Sequence, residues 1–171
     1  MTIPAENPTA NNAELILKEL KKVRELARHI QNVQNACFRM GEKLIEDGEV
    51  EFGRNLIANS FIHDQTKFRG IEWVFLVGRN CENSHDLPNA VMNHVSSNPH
   101  HPEYWGDIHK MPEIYVAEMV ADWWSRSIEF GTDLRDWVSD TATKKFNFTM
   151  QQNIGRQIKK YMNLILDQPF K

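Results

Sequence analysis

The sequence is poor in most of the features that announce a function. Its 171 residues include two cysteines, Cys37 and Cys81, too few for a disulfide framework and without CxxC spacing. No apolar run approaches the roughly 18 residues that mark a membrane span. Residues 1–12 (MTIPAENPTANN) carry neither the basic nor the apolar stretch of a secretory leader, so a reducing cytoplasm is the expected setting. Glycine is scarce, with eight residues and no glycine-rich phosphate loop. Basic charge is also lacking: the net charge of −3 argues against a general nucleic-acid binder. No internal repeat or low-complexity tract interrupts the chain.

What is present is one domain's length of ordinary globular composition, enough to bury a core without staples. Asn12 is suited to cap a helix over 13–46, whose apolar set runs Leu15, Ile16, Leu20, Val23, Ala27, Ile30, Val33, Cys37, Met40 and Leu44 before Asp47-Gly48. A second helix over 49–64 would carry His63 in its last turn. The short apolar run 71–79 reads as helix in this context. Pro88 suits the first turn of a helix over 88–96 that contains His94. Residues 97–112, with three prolines, read as a loop. Pro112 opens a helix to about residue 130, ended by Gly131, with Glu118, Asp122 and Arg126 as an i, i+4 ladder beside its apolar face. A short helix around Trp137 and a last one capped by Thr149 and ending at Leu166 complete an all-α domain of five to seven helices over 13–171. A flexible arm, residues 1–12, precedes it.

The histidines are unevenly spread: five of the seven fall between residues 85 and 109. Three of them, with Tyr104 and Trp105, lie in the 97–112 loop, and loops of that composition are disproportionately functional. The pair His63-Asp64 offers a nitrogen and a carboxylate to one cation. His29, at the inner border of the first helix, and Asp122, between Ala121 and Trp123 on an apolar helix, are the natural further ligands. Such a mixed N and O set suits Mn²⁺, Fe²⁺, Co²⁺, Ni²⁺ or Zn²⁺. Taken singly, each has a bland alternative, a satisfied core histidine or a helix-end charge pair; the set is what points to a metal. His85 and His109 read as surface residues, and Trp73, Trp123, Trp124 and Trp137 as core or interface aromatics.

The order His29, His63-Asp64, Asp122 resembles the HD-domain superfamily of metal-dependent phosphohydrolases. The segments HDQTKF, NPHHPEYW and EMVADW together look like an uncharacterised HD-like family of phages and bacteria. The resemblance implies an HD-like helical bundle. It also implies one ion on His29, His63, Asp64 and Asp122, and a second on Asp64, His94 and His101, with His100 as the alternative. Lys67, in the HDxxK element, would hold a phosphoryl oxygen as a point charge. Glu118, one turn before Asp122, would orient a ligand histidine or act as acid/base. Tyr104 and Trp105 could stack on a base or sugar. Lys67 stands where the mononuclear nucleotidase branch carries an acid, and no Gly-Tyr-Pro follows the paired histidines, so neither the nucleotidase mechanism nor a cyclic-dinucleotide substrate transfers directly.

The function this implies is hydrolysis of a nucleotide or other small phosphoester by metal-bound hydroxide, because a divalent ion lowers the pKa of bound water from 15.7 toward about 7. Two alternatives stay open: a non-catalytic protein clasped by its metal, and a di-iron oxygenase of HD type. No membrane partner is expected, and a homodimer is a reasonable expectation for a small enzyme.

Overall fold

The computed structural model describes residues 8–77 and 85–166, with side chains from Asn12 onward, and among these no strand occurs. The fold is all-α. Five helices of eleven residues or more account for most of it: α1 (Pro8–Glu46), α2 (Val50–Ser60), α4 (Leu87–Ser97), α6 (Glu113–Phe130) and α9 (Asn153–Leu166). The short helices α3 (Gly70–Glu72), α5 (Pro102–Trp105), α7 (Leu134–Trp137) and α8 (Thr143–Lys145) lie between them.

Several boundaries depart from expectation. The first helix begins at Pro8 rather than at residue 13, since proline needs no amide partner in a first turn and its φ suits that position. Residues 1–7 of the expected arm lie outside the described residues, as do residues 78 and 79 of the apolar run and Cys81. α2 stops at Ser60, and His63 and Asp64 occupy the turn after it rather than its last turn. Within the expected loop 97–112, Pro102 opens the short α5, and a 3₁₀ turn forms at Ile108–Lys110. The last helix starts at Asn153: Thr149 closes a turn instead, its amide donating to the Gln152 side chain at 2.7 Å.

The chain divides into two compact units, Met1–Arg28 with Gln65–His94, and His29–Asp64 with Val95–Lys171. In the first unit, a 3₁₀ turn (Gln65–Phe68) leads into α3 and a wide helical turn (Trp73–Val77). Leu26, Val77 and Ala90 are buried there, and so is Glu72. The Glu72 carboxylate accepts from the Thr66 hydroxyl at 2.8 Å and faces His94 Nδ1 at 2.8 Å.

The second unit is built around α6. This helix is buried on every side from Val116 to Ser125, as expected of a central helix without a solvent face. α2 and α9 pack on it, and Val33, Met40, Leu44, Leu56, Val120, Ile158 and Ile165 form the core. α1 and α2 approach closely through paired glycines: a Cβ on Gly53 would lie 2.4 Å from the Gly41 carbonyl oxygen. Pro112 leads into α6, and Gly131, at φ 65, ends it. Tyr161 on α9 stacks on Phe52 and donates its hydroxyl to Glu113 at 2.7 Å.

Candidate metal centre

Because α6 has no exposed side over this stretch, any polar residue on it must find a partner inside the fold. Four such residues follow the helical repeat at 118, 122, 125 and 129, which places them on one face. Glu118, Asp122 and Ser125 are buried, and Glu129 is partly so. The partners arrive from three other segments of the second unit. His29 comes from α1, His63 and Asp64 from the turn after α2, and His100 and His101 from the turn before α5.

The imidazoles line up in succession. Ring centroids are 5.6 Å apart for His29 and His63, 4.2 Å for His63 and His100, and 4.3 Å for His100 and His101. The Nδ1 atoms face outward to acceptors. His63 Nδ1 lies 3.0 Å and His100 Nδ1 3.3 Å from the same oxygen, Glu118 Oε1. His29 Nδ1 lies 3.0 Å from Glu129 Oε1 and 3.1 Å from Ser125 Oγ. The Nε2 atoms face inward to carboxylates. His29 Nε2 is 3.1 Å from Asp122 Oδ1 and 3.5 Å from Asp64 Oδ2. His63 Nε2 is 3.7 Å from Asp64 Oδ2, and His100 Nε2 is 3.6 Å from Asp64 Oδ1.

Asp64 reaches this position through a left-handed backbone, φ 57. Aspartate tolerates that conformation better than most residues but at a cost of roughly 1 kcal/mol, and such outliers cluster where a side chain must be re-aimed.

The donor set fits a cation. His29 Nε2, His63 Nε2 and Asp122 Oδ1 are buried without a hydrogen-bond partner, and one ligand atom from each lies within 4.8 Å of the others. With metal–ligand bonds of about 2.0–2.2 Å, ligand edges run from about 2.9 Å for right-angle pairs to about 3.4 Å for tetrahedral ones. The 3.1 Å and 3.5 Å contacts of His29 Nε2 fall close to this range. Asp64, His100 and His101 also offer ligand atoms within 4.8 Å of one another. His63, His100 and Glu118 meet the same proximity, but their close contacts are through Nδ1, so they form a hydrogen-bonded cluster behind the Nε2 face.

The electrostatics agree. Burial works against charge on Asp122, but the His29 imidazole, helped by His63 and His100, holds its carboxyl well below the usual range. Glu118 is likewise lowered, burial being outweighed by His100 and His63. His100 is raised: desolvation opposes its protonation, and Glu118, Asp122 and Asp64 favour it more strongly. Cys37 is raised, first by burial and then by the field of Glu118 and Asp122.

Of the residues expected from sequence, His29, His63, Asp64, His100, His101, Glu118 and Asp122 come together in the second unit. His94 belongs to the first unit, where it is buried beside Glu72. Lys67 is there too, half-buried in the 3₁₀ turn. Trp105 directs its indole N–H to the Pro99 carbonyl at 2.8 Å and packs against the core, while Tyr104 is exposed. Arg126, expected to extend the ladder, instead pairs with Glu129 at 2.9 Å. The carboxylate partners Glu129 and Glu72, and Ser125, went unseen in the sequence. For Ser125 and Glu129 the signal was available as a polar stripe, continuing from Glu118 and Asp122 at spacings of four, three and four, on a mostly apolar helix.

A family model covers residues 18–168, and its description is a family of unknown function, DUF5662. No curated protein and no solved structure matches the chain. No described helix is long and apolar enough to cross a membrane.

Proposed function

The chain belongs to the DUF5662 family, and we propose that it is a metal-dependent phosphohydrolase acting on a nucleotide or other small phosphoester. The observation that carries this reading is the convergence of His29 Nε2, His63 Nε2 and Asp122 Oδ1, buried and without hydrogen-bond partners. Each such atom left unsatisfied costs about 1–3 kcal/mol. One divalent cation satisfies two imidazole lone pairs and a carboxylate together. The N and O donors favour Mn²⁺, Fe²⁺, Co²⁺, Ni²⁺ or Zn²⁺. Asp64 turns Oδ2 toward His29 and His63, and Oδ1 toward His100, which supports a second ion on Asp64, His100 and His101. For the first ion these are the residues that the resemblance to the HD-domain superfamily implies; for the second the resemblance implies His94 with Asp64 and His101, His100 being the alternative.

When bound, such ions supply Lewis acidity toward a phosphoryl oxygen and an acidified water at neutral pH. The chain's own residues prepare that site. Glu118 accepts from Nδ1 of His63 and His100, which leaves their Nε2 lone pairs for the cation. That bonding takes up Oε1 of Glu118 twice over, and of the two roles open to it, orientation is the one we assign. Asp64 and Asp122 add negative charge opposite the cation. Lys67, in the first unit, keeps only the role that the resemblance implies, a point charge for a phosphoryl oxygen.

The test is metal analysis of the purified protein and of His63→Ala and Asp122→Ala, followed by phosphate release from a nucleotide panel with Mn²⁺, Co²⁺ or Ni²⁺. The reading expects bound metal in the wild type, depleted in both variants, and metal-dependent release. Full metal content in both variants refutes the site. A second reading, a metal clasp without turnover, draws support from the depth of the ligands, with His29 and His63 each 1% exposed. It is favoured if chelation melts the fold and nothing on the panel is cleaved. Two irons, a charge-transfer band and O₂ uptake would instead favour the oxygenase.

A further inference from the structure

Glu129 occupies an unfavourable place for a carboxylate. It stands in the last turn of α6, where the helix dipole disfavours negative charge. Its side chain is only 13% exposed. Three contacts hold it there. Arg126 donates to Oε2 at 2.9 Å, Ser125 donates to Oε1 at 3.2 Å, and His29 Nδ1 lies 3.0 Å from the same Oε1.

The chemistry of this cluster selects one tautomer of His29. A carboxylate oxygen only accepts, so an unprotonated Nδ1 would set two lone pairs against each other at 3.0 Å. With the proton on Nδ1, His29 donates to Glu129, and the Ser125 hydroxyl remains free to donate to the same oxygen. The lone pair then sits on Nε2, 3.1 Å from Asp122 Oδ1, an approach of two acceptors that a cation held by both atoms relieves.

We propose that Glu129, braced by Arg126 and Ser125, is the positioning residue that fixes His29 in its Nδ1–H tautomer and so prepares Nε2 for the cation. This rests on the reading of His29 as a metal ligand. It extends that reading by giving the outermost imidazole its own carboxylate, separate from the Glu118 that serves His63 and His100. It also explains the charged pair at the end of α6: Arg126 offsets the helix dipole and fixes the Glu129 rotamer.

The probe is Zn²⁺ alone, added to the full-length chain and followed by competition with a chromophoric chelator. Long-range ¹⁵N–¹H spectra of histidine-labelled protein report the His29 tautomer. Glu129→Ala should weaken Zn²⁺ binding by about 10–100-fold and lose the uniform Nδ1–H signature at His29. Glu129→Gln keeps an acceptor oxygen and should recover the tautomer and part of the affinity. Arg126→Ala should weaken binding in the same direction but less, and serves if Glu129→Ala does not fold. Zn²⁺ binding by Glu129→Ala as tight as wild type, with His29 still Nδ1–H, overturns the proposal while leaving the metal centre intact. Wild type that binds no Zn²⁺ overturns the metal centre, and this inference with it.

Discussion

Removing Asp122 is the most decisive perturbation, because that carboxylate is the one ligand α6 itself supplies and its Oδ1 is a buried atom without a hydrogen-bond partner. A ligand that binds only the folded state stabilises it by RT ln(1 + [L]/Kd), or about 2.7 kcal/mol when the free ion is at 100 times Kd. A protein this size gains roughly 2–4 °C in Tm per kcal/mol. Saturating Zn²⁺ or Mn²⁺ should therefore raise the wild-type Tm by about 5–11 °C over its value in chelator. If Asp122→Ala raises Kd about 100-fold, the same free ion stands near Kd, and the stabilisation falls to about 0.4 kcal/mol. The expected shift is then about 1–2 °C. Differential scanning fluorimetry in metal buffers, with each variant referred to its own chelator baseline, makes the comparison independent of what the substitution does to the apo fold. Equal metal-induced shifts in wild type and Asp122→Ala would refute the reasoning, as would a wild type indifferent to every divalent ion on the list.

Other outcomes follow from the same geometry. Glu118→Gln should cost about 10–100-fold in metal affinity, since one oxygen serves both His63 and His100; isothermal titration checks this. Glu118 is lowered from its ordinary 4.5, so the stability it contributes is present above that value and is lost as pH falls through the lower, folded value. Urea midpoints of the apo protein between pH 5 and pH 3 should accordingly fall less steeply in Glu118→Gln than in wild type, and parallel curves would contradict it. Gly53→Ala should destabilise by about 1–3 kcal/mol, because its Cβ would meet the Gly41 carbonyl oxygen at 2.4 Å; an unchanged urea midpoint would mean that α1 and α2 separate at little cost. Lys67→Ala should leave metal content intact and lower turnover on any substrate the panel identifies, so a variant that loses metal instead would move Lys67 from substrate contact to support of the site.

The sequence by itself determined the helical class and named most of the polar residues that converge on α6. Amphipathic spacing, Pro112 and Gly131 bracketed α6 almost to the residue, because those signals act within a few residues of chain. His29, His63, Asp64 and Asp122 were legible as candidate metal ligands because together they make a mixed nitrogen and oxygen donor set, although each taken singly has a bland alternative. What the sequence could not determine was which atom of each side chain faces which neighbour. The outward Nδ1 and inward Nε2 of the three imidazoles, the left-handed turn that aims Asp64, and the service of Glu118 to two histidines at once all depend on segments distant in the chain meeting around α6. The partnership of His29 with Glu129 spans 100 positions. No local propensity encodes it; only the tertiary fold, which brings His29 of α1 against Asp122, Ser125 and Glu129 of α6, sets that carboxylate beside that ring.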